Sequence, residues 1–270
     1  MPFMELDTGI RMHFRDAGEG PPILFVPGFA ATVDAWNYQV GDLCDRHRCV
    51  CVDLRGHGAS DKPASAYTYA EMCADLAALL RGLDLREITI VGWSMGAGVA
   101  LSYLVDHNAD GRVVRAALVN PATPRFVRTE TEPFGLDEAA AAATLESIRR
   151  AYPETMAAFA DANFHRTDLA ATRDWFLRSW LELPAYAAHR YFSTLLTADL
   201  RDRLPEVDVP MLICQGRHDQ VCDTGWSEYL AAHVAGSKLE WFEGSGHCLM
   251  VEEPDKLSAE LAAFAGAGGR

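Results

Sequence analysis

Basic residues are scarce in this sequence, and their scarcity argues against several kinds of partner. The 270 residues include 24 Lys and Arg against 38 Asp and Glu, which gives a formal net charge of −14 at pH 7. A nucleic acid's phosphate backbone is bound through a basic surface, and anionic lipids attract basic segments. We therefore expect this protein to bind neither nucleic acid nor a membrane.

Long apolar runs and paired cysteines are also missing. No run approaches the roughly 20 apolar residues that a membrane-spanning helix needs. The start, MPFMELDTGIRMHFRD, lacks the basic segment and apolar stretch of a signal peptide. The seven cysteines are scattered, and none forms a C-x-x-C pair. This pattern predicts reduced thiols in a cytoplasmic protein, with no disulfide framework and no metal site.

Eight short segments rich in apolar and β-branched residues predict β-strands. They are FMEL, IRMHFRD, ILFV, RCVCVDL, EITIVG, VVRAALVN, VPMLICQG and KLEWFEG. The turn DTG joins the first two segments, and helical segments separate most of the others. Strands that alternate with helices favour an α/β fold with a mostly parallel sheet covered by helices on both faces.

The alternation stops in one stretch of the chain. Residues 121–205 contain helical segments in succession, and Pro153 and Pro184 mark the starts of two of them. The length suits one domain with an insertion. We therefore predict an α/β core formed by residues 1–120 and 206–270, with residues 121–205 inserted as a helical cap. The final segment, GAGGR, is expected to fray.

A serine framed by two glycines follows the fifth predicted strand. The pattern G-x-S-x-G occurs by chance in roughly one in ten chains of this length, so GWSMG indicates little alone. Here EITIV precedes it and the small-residue helix AGVAL follows, which is the strand–turn–helix setting of a nucleophile elbow. The helix N-terminus also favours a developing negative charge nearby. We predict that Ser94 is a nucleophile, the alternative being an ordinary helix N-cap.

The base and the acid that a nucleophilic serine needs follow late in the chain. His247, in the loop segment GSGHC after the last predicted strand, is the candidate base, the alternative being a surface histidine. Asp219, in GRHDQV after the seventh predicted strand, is the candidate acid. Its neighbours His218 and Asp223 and the earlier Asp208 are alternatives, so Asp219 is chosen by position. The chain order Ser, Asp, His is the one found with nucleophile elbows.

Two backbone amides are needed to stabilise the oxyanion of an acyl-transfer reaction. Met95, directly after the serine at the helix start, supplies one of them. Phe29, in the loop PGFAA after ILFV, supplies the other, because Gly28 lets the backbone aim the Phe29 N–H at the site. Trp93 flanks the serine on its other side, and we expect Gly28 and Trp93 to contact the substrate.

These segments together resemble the α/β-hydrolase fold superfamily, in particular its lidded serine esterases, arylesterases and cofactor-free haloperoxidases. The resemblance covers nearly the whole chain and is carried by FVPGF, DLRGHGASDKP, GWSMG, GRHDQV and GSGHC, in that order. It implies an eight-stranded, mostly parallel sheet with a helical lid, and no cofactor. It also implies a catalytic triad of Ser94, Asp219 and His247. The implied oxyanion donors are the amides of Phe29 and Met95.

Two comparisons within that superfamily refine the expectation. Most relatives have histidine where this chain has Pro27; that histidine supports the loop and lies outside the triad, so the mechanism is unaffected. Relatives that dehalogenate alkyl halides carry an aspartate nucleophile, so the serine in this chain argues for esters over halides.

Other polar residues of the motifs have simpler interpretations. Asp53, Arg55 and His57 in DLRGHG are expected to fix a turn beside the site rather than form a charge relay. Asn120 ends a strand where some relatives place the acid, but an amide cannot take that role. Cys248 is expected to be a packed thiol.

The predicted cap is rich in aromatic residues. They include Phe126, Phe134, Phe159, Phe164, Trp175, Phe176, Trp180, Tyr186, Tyr191 and Phe192. Most are expected to pack the cap onto the core, and together with the site they imply a largely apolar pocket. The sequence thus predicts a hydrolase of small apolar esters or lactones that works through an acyl-enzyme. The alternatives are a C–C bond hydrolase or a perhydrolase with the same triad, and a small-molecule receptor of the same fold.

Overall fold

The computed structural model describes residues 2–266 and contains an eight-stranded sheet. Its strands are β1 (Phe3–Glu5), β2 (Arg11–Ala17), β3 (Pro22–Val26), β4 (Arg48–Val52), β5 (Ile88–Trp93), β6 (Val113–Val119), β7 (Met211–Gly216) and β8 (Lys238–Phe242). The strand order is β1-β2-β4-β3-β5-β6-β7-β8. β2 pairs antiparallel with β1 and β4, and all other neighbours pair parallel. The predicted α/β fold with a mostly parallel sheet is confirmed.

Helices connect the strands and cover the sheet. Outside the stretch between β6 and β7 they are α1 (Asn37–Leu43), α2 (Tyr69–Gly82), α3 (Met95–Asp106), α8 (Thr224–His233), α9 (Leu249–Glu252) and α10 (Pro254–Gly266). β4 lies on one side of β3 and β5 on the other. Right-handed crossovers therefore place α1 on one face of the sheet and α2 and α3 on the opposite face. In agreement, α1 packs against α10 and α2 packs against α3.

The reversal of strand order between β3 and β5 determines where a site can form. The two strands are neighbours, with Val26 paired to Gly92 at their carboxyl ends, but their connecting helices lie on opposite faces. In open α/β sheets, ligands bind at such a switch point, outside the carboxyl ends of the strands. The segments that leave the strands here are the loop PGFAA and the turn that contains Ser94.

Between β6 and β7 the described chain adds helices to the fold but no strand to the sheet. These helices are α4 (Glu138–Arg150), α5 (Tyr152–Asn163), α6 (Ala170–Trp180) and α7 (Ala185–Thr197). We call residues 121–205 the helical insertion. Pro153 lies in the first turn of α5 and Pro184 is the N-cap of α7, so both prolines mark helix starts as predicted.

Three further expectations concern the chain as a whole. All seven cysteines are free thiols, as their scattered positions predicted. Within residues 2–266, no helix is both long and apolar enough to cross a membrane. The segment expected to fray, GAGGR, lies outside the described residues except for Gly266, the last residue of α10.

Candidate active site

Ser94 lies on a tight turn between β5 and α3. Its backbone has φ +54° and ψ −119°, a left-handed conformation that non-glycine residues rarely adopt. A Cβ on Gly92 would lie 2.4 Å from the carbonyl oxygen of Gly96, and a Cβ on Gly96 would lie 2.5 Å from that of Pro27. The close approach of strand, helix and loop therefore requires both glycines. The Ser94 side chain makes no capping hydrogen bond to α3, which argues against the alternative of an ordinary N-cap.

The structure brings His247 and Asp219 together. Asp219 Oδ2 lies 2.8 Å from His247 Nδ1, and both side chains are fully buried. The other carboxylate oxygen, Oδ1, accepts the backbone N–H groups of Val221 at 2.8 Å and Cys222 at 3.0 Å. The carboxylate is thus held in one orientation, and it orients the imidazole with Nδ1–H as the donor.

Two of the alternative residues make other contacts, and the third is exposed to solvent. His218 stacks on His165 of the helical insertion, with ring centroids 3.8 Å apart. Asp223 caps the start of α8, and Asp208 is exposed. Of the candidate carboxylates, Asp219 is the one that reaches the imidazole.

The remaining ring nitrogen, His247 Nε2, is buried and has no hydrogen-bond partner among residues 2–266. The Cys222 thiol lies beside the Ser94 side chain. Burial raises the pKa of this thiol well above its usual value, and the neighbouring Ser94 hydroxyl opposes that rise. Cys222 is therefore a neutral thiol in contact with the serine.

The sequence motifs did not identify Cys222 as a neighbour of Ser94. Its sulfur, a carboxylate oxygen of Asp219 and a ring nitrogen of His247 lie within 4.8 Å of one another. Among the described residues, these three side chains are the one group close enough to share a metal ion. The signal that could have identified this cysteine is its position three residues after Asp219, in the same loop.

The loop after β3 passes directly beside the turn that contains Ser94. A Cβ on Gly28 would lie 3.1 Å from the Ser94 Cβ, so the absence of a side chain gives the loop room for this approach. The Ala31 N–H donates to the Gly28 carbonyl at 3.1 Å and closes a turn around Phe29. Met95 is the first residue of α3, where N–H groups have no partner within the helix. Both predicted oxyanion amides therefore belong to segments that border Ser94.

Two side chains at strand ends hold the loop of His247. Asn120, directly after β6, donates its amide to the carbonyls of Gly246 at 3.0 Å and His247 at 2.9 Å, and it accepts the Gly216 N–H at 2.7 Å. Trp93, at the end of β5, donates its indole N–H to the His247 carbonyl at 2.9 Å. Asn120 thus holds the loops of Asp219 and His247 against the sheet, a role its amide can fill.

The helical insertion contacts the same loop. The carbonyl of Asn163, at the end of α5, accepts the His247 N–H at 2.9 Å. The buried Glu252 carboxylate accepts the N–H groups of His165 at 2.7 Å and Arg166 at 2.8 Å, and also that of the residue before His247, at 2.7 Å. The position of His247 is therefore coupled to the position of the insertion. The sequence motifs did not reveal this role of Glu252, because its partners in the insertion lie far away along the chain.

A narrow apolar cavity extends from Ser94 beneath the helical insertion. Its volume is about 50 Å³, well below the range of about 300–1,000 Å³ usual for ligand pockets. Phe29 of the core and Phe126, Phe159 and Phe192 of the insertion line it, together with aliphatic side chains and two threonines, and none of its lining side chains is charged. The apolar pocket that the aromatic residues implied is therefore present, and it is small.

Gly28 and Trp93, which were expected to contact the substrate, do not line this cavity. The buried Trp93 ring packs against the rings of His247 and Trp180, with centroids 5.4 Å and 6.5 Å away. A Cβ on Gly28 would lie 3.1 Å from the Trp93 ring. Both residues therefore pack against the side chains of the site without lining the cavity. A direct contact of either residue with substrate stays a prediction.

The DLRGHG segment forms a buried polar network beside the same loop. Arg55 pairs with Asp75 through two hydrogen bonds of 2.7 Å. Asp53 accepts hydrogen bonds from His13 at 2.7 Å and from the Val33 N–H at 2.8 Å. Burial raises the pKa of Asp53, but its hydrogen bonds outweigh burial and lower the pKa overall. These contacts fit the interpretation that the segment fixes a turn.

Comparisons with known proteins agree with this architecture. A family model described as the alpha/beta hydrolase fold matches residues 21–254. The AB hydrolase superfamily protein YisY of Bacillus subtilis is 30% identical over 263 residues, which cover 97% of this chain and 98% of the relative. A non-heme haloperoxidase of Rhodococcus erythropolis is 30% identical over 273 residues, which cover 98% and 99%. An esterase structure from Exiguobacterium antarcticum superposes with a TM-score of 0.95 at 30% identity, covering 98% of this chain and 99% of that one.

Proposed function

This chain belongs to the α/β-hydrolase fold family, and on that premise we propose that it is a serine hydrolase of carboxylic esters or lactones that works through an acyl-enzyme on Ser94. The observation that carries the proposal is the buried Asp219–His247 hydrogen bond of 2.8 Å beside a serine held at φ +54°. An ordinary structural serine needs neither feature.

In the proposed mechanism His247 is the general base. The Ser94 hydroxyl transfers its proton to the unpartnered His247 Nε2 as its oxygen attacks the substrate carbonyl. Asp219 holds the imidazole in the required tautomer and stabilises the imidazolium.

The developing oxyanion would be stabilised by backbone amides. We assign this role to the N–H groups of Phe29 and Met95, since the loop around Phe29 and the start of α3 both border Ser94. Removing one such donor typically costs about 10²–10³ in kcat. His247 then protonates the leaving alcohol, and the same base activates the water that releases the acid and regenerates the serine hydroxyl.

The helical insertion is proposed to act as a cap that sets substrate size. The core would then comprise residues 1–120 and 206–270, and the cap residues 121–205. The uncharged, apolar cavity favours a substrate with an uncharged acyl or alcohol part, and its volume of about 50 Å³ favours a short one. Substrates with longer chains would require the cap to move. The similarity to an esterase at 30% identity supports the ester class.

A second candidate activity is perhydrolysis, which the similarity to a non-heme haloperoxidase supports. In this reaction hydrogen peroxide takes the place of water in the second step. The acyl group passes from Ser94 to the peroxide oxygen, which gives a peracid and restores the serine hydroxyl. The first step is shared with ester hydrolysis, so the two activities differ in the acyl acceptor alone.

The test is turnover of p-nitrophenyl acetate, butyrate and octanoate and of a small lactone by the wild type and by Ser94→Ala. We expect many turnovers with the shorter esters, loss of activity in Ser94→Ala, and normal activity in Ser102→Ala, which removes a buried serine within α3. Equal activity of wild type and Ser94→Ala would refute the serine mechanism. Near-stoichiometric cleavage, with a ligand-dependent rise in Tm, would indicate a receptor instead. Added hydrogen peroxide, with peracid measured directly, decides between the two acyl acceptors.

A further inference from the structure

His57 occupies a position between the loop of Phe29 and the DLRGHG turn. It is 0% exposed. Its Nε2 accepts the backbone N–H of Ala30 at 3.0 Å, and its Nδ1 lies 3.2 Å from the Arg55 carbonyl oxygen. Ala30 directly follows the residue to which we assign one oxyanion amide. The imidazole therefore touches the main chain one residue away from that donor.

The two contacts determine the tautomer of His57. A backbone N–H can only donate, so Nε2 must be the unprotonated, accepting nitrogen. A carbonyl oxygen can only accept, so Nδ1 must carry the hydrogen and donate it to Arg55. Burial lowers the pKa of His57 to about 4, so the ring is neutral at neutral pH, as both contacts require.

The Ala30 contact matters because the loop has a strained backbone conformation that needs contacts from outside the loop to stabilise it. Ala30 has φ +62°, a left-handed value that costs energy for a residue with a Cβ. The turn is closed on one side by the bond from Ala31 N–H to Gly28. On the other side, the bond from Ala30 N–H to His57 fixes the following peptide, so the amide of Phe29 lies between two anchored points.

We propose that His57 is a positioning residue for the oxyanion hole: by accepting the Ala30 N–H it holds the loop in the conformation that aims the Phe29 N–H at the reacting carbonyl of the substrate. The inference rests on the proposed acyl-transfer function, because an oxyanion hole matters only if an oxyanion forms. His57 does not touch the substrate cavity and takes no proton from the reaction.

The helical insertion supports the same contact. The hydroxyl of Tyr191 in α7 donates to the Arg55 carbonyl that also accepts from His57, and the Tyr191 ring packs edge-on against the imidazole with centroids 4.7 Å apart. Both side chains are fully buried. Tyr191 of the insertion therefore packs against the imidazole that binds the loop of Phe29. The position of the insertion and the conformation of that loop are linked through His57.

The decisive variants change the acceptor while keeping the volume. His57→Phe preserves the flat ring but cannot accept the Ala30 N–H, whereas His57→Gln supplies an amide oxygen that can. His47→Phe is the matched control. His47 is also a buried histidine that contacts a backbone carbonyl, that of Pro21, but it lies at the amino ends of β3 and β4, at the opposite edge of the sheet from Ser94. Rates are expressed per active site, counted by titration with a fluorophosphonate.

An oxyanion hole acts on the transition state more than on the bound substrate. We therefore expect His57→Phe to lower kcat for p-nitrophenyl acetate about 10- to 100-fold with KM within about twofold, since a misplacement near 1 Å can cost 10²-fold. The inhibition constant of an alkyl boronic acid, which mimics the tetrahedral oxyanion, should rise by the same factor. His57→Gln should recover most of both losses, and His47→Phe should show neither. A role in stability alone would lower Tm and the titrated fraction but leave kcat per site and boronate affinity unchanged, which would overturn the proposal.

A measurement on the wild type does not depend on whether the variants fold. Nitrogen-15 NMR of the wild-type histidine rings should show one ring, assigned to His57 by its through-space contact with the Tyr191 ring, that is neutral from pH 7 to pH 5 with the proton on Nδ1. A proton on Nε2 contradicts the proposal. If the wild type turns over no ester, the proposed function fails while the tautomer result stands. If the wild type is active and His57→Phe is equally active per site, this inference alone fails.

Discussion

Replacement of Ser94 by glycine should make the protein more stable while it abolishes catalysis. Ser94 has φ +54° and ψ −119°, which costs a residue with a Cβ on the order of 1–3 kcal/mol. The backbone cannot relax out of this conformation, because the Ser94 N–H donates to Val119 at 2.9 Å and its carbonyl accepts from Ala97 at 3.0 Å and Ala122 at 3.1 Å. The strain is therefore stored in the native state and is released when the Cβ is removed.

The net gain is smaller than the strain. Glycine loses more chain entropy on folding than other residues, which costs about 0.5–1 kcal/mol. We expect Ser94→Gly to raise the free energy of unfolding by about 0.5–2 kcal/mol, which corresponds to a rise in Tm of roughly 1–4 °C for a protein of this size. Calorimetry or a denaturant titration measures the change.

Two variants isolate the cause. Ser94→Ala removes the same hydroxyl but keeps the Cβ, so it should be less stable than Ser94→Gly. Ser102→Gly, in the regular interior of α3, should lower stability, because glycine is a poor helix former. A Ser94→Gly protein no more stable than Ser94→Ala would refute the reasoning that the turn stores strain for the nucleophile.

Three further predictions test other parts of the account. Asn120→Ala leaves the Gly216 N–H and the carbonyls of Gly246 and His247 without their partner, so it should cost about 2–4 kcal/mol in a denaturant titration and lower kcat; unchanged stability would contradict the loop-fastening role. The pKa of His57 is lowered from 6.5 to about 4 by burial, so between these values the unfolded chain binds a proton that the folded chain does not. Stability should therefore fall as the pH falls from about 6.5 to about 4, by up to about 3 kcal/mol more than in His57→Gln; parallel pH curves for the two proteins would disprove this. Phe159→Ala widens the cavity, so the ratio of kcat/KM for p-nitrophenyl octanoate to that for acetate should rise about tenfold or more, and an unchanged ratio would show that this cavity does not hold the acyl chain.

The fold could be predicted from the sequence because buried parallel strands are continuous apolar runs. ILFV and CVCV carry no alternation that solvent exposure would impose, and helices between strands force parallel pairing. The nucleophile turn was also visible, since Gly92 and Gly96 are required by contacts within a strand–turn–helix unit and with the adjacent loop.

The supporting contacts could not be predicted, because they join segments that are remote in sequence. Cys222 was invisible as a neighbour of Ser94, although it lies only three residues after Asp219. Glu252 bridges the loop of the base and the insertion through backbone amides, which leave no trace in the side-chain pattern. For His57 the expectation of a turn-fixing role identified the right region, but its contact with Ala30 depends on how β3 and β4 are paired.

The central claim, that Ser94 is acylated during turnover, is tested most directly by trapping the intermediate. The protein is mixed with p-nitrophenyl acetate, quenched in acid within its first turnovers, digested and analysed by mass spectrometry. We predict an acetyl group on the peptide that contains Ser94, at near-stoichiometric level, and none on that peptide in Ser94→Ala. Turnover without acylation of Ser94, or an acetyl group on Cys222 in its place, would contradict the account.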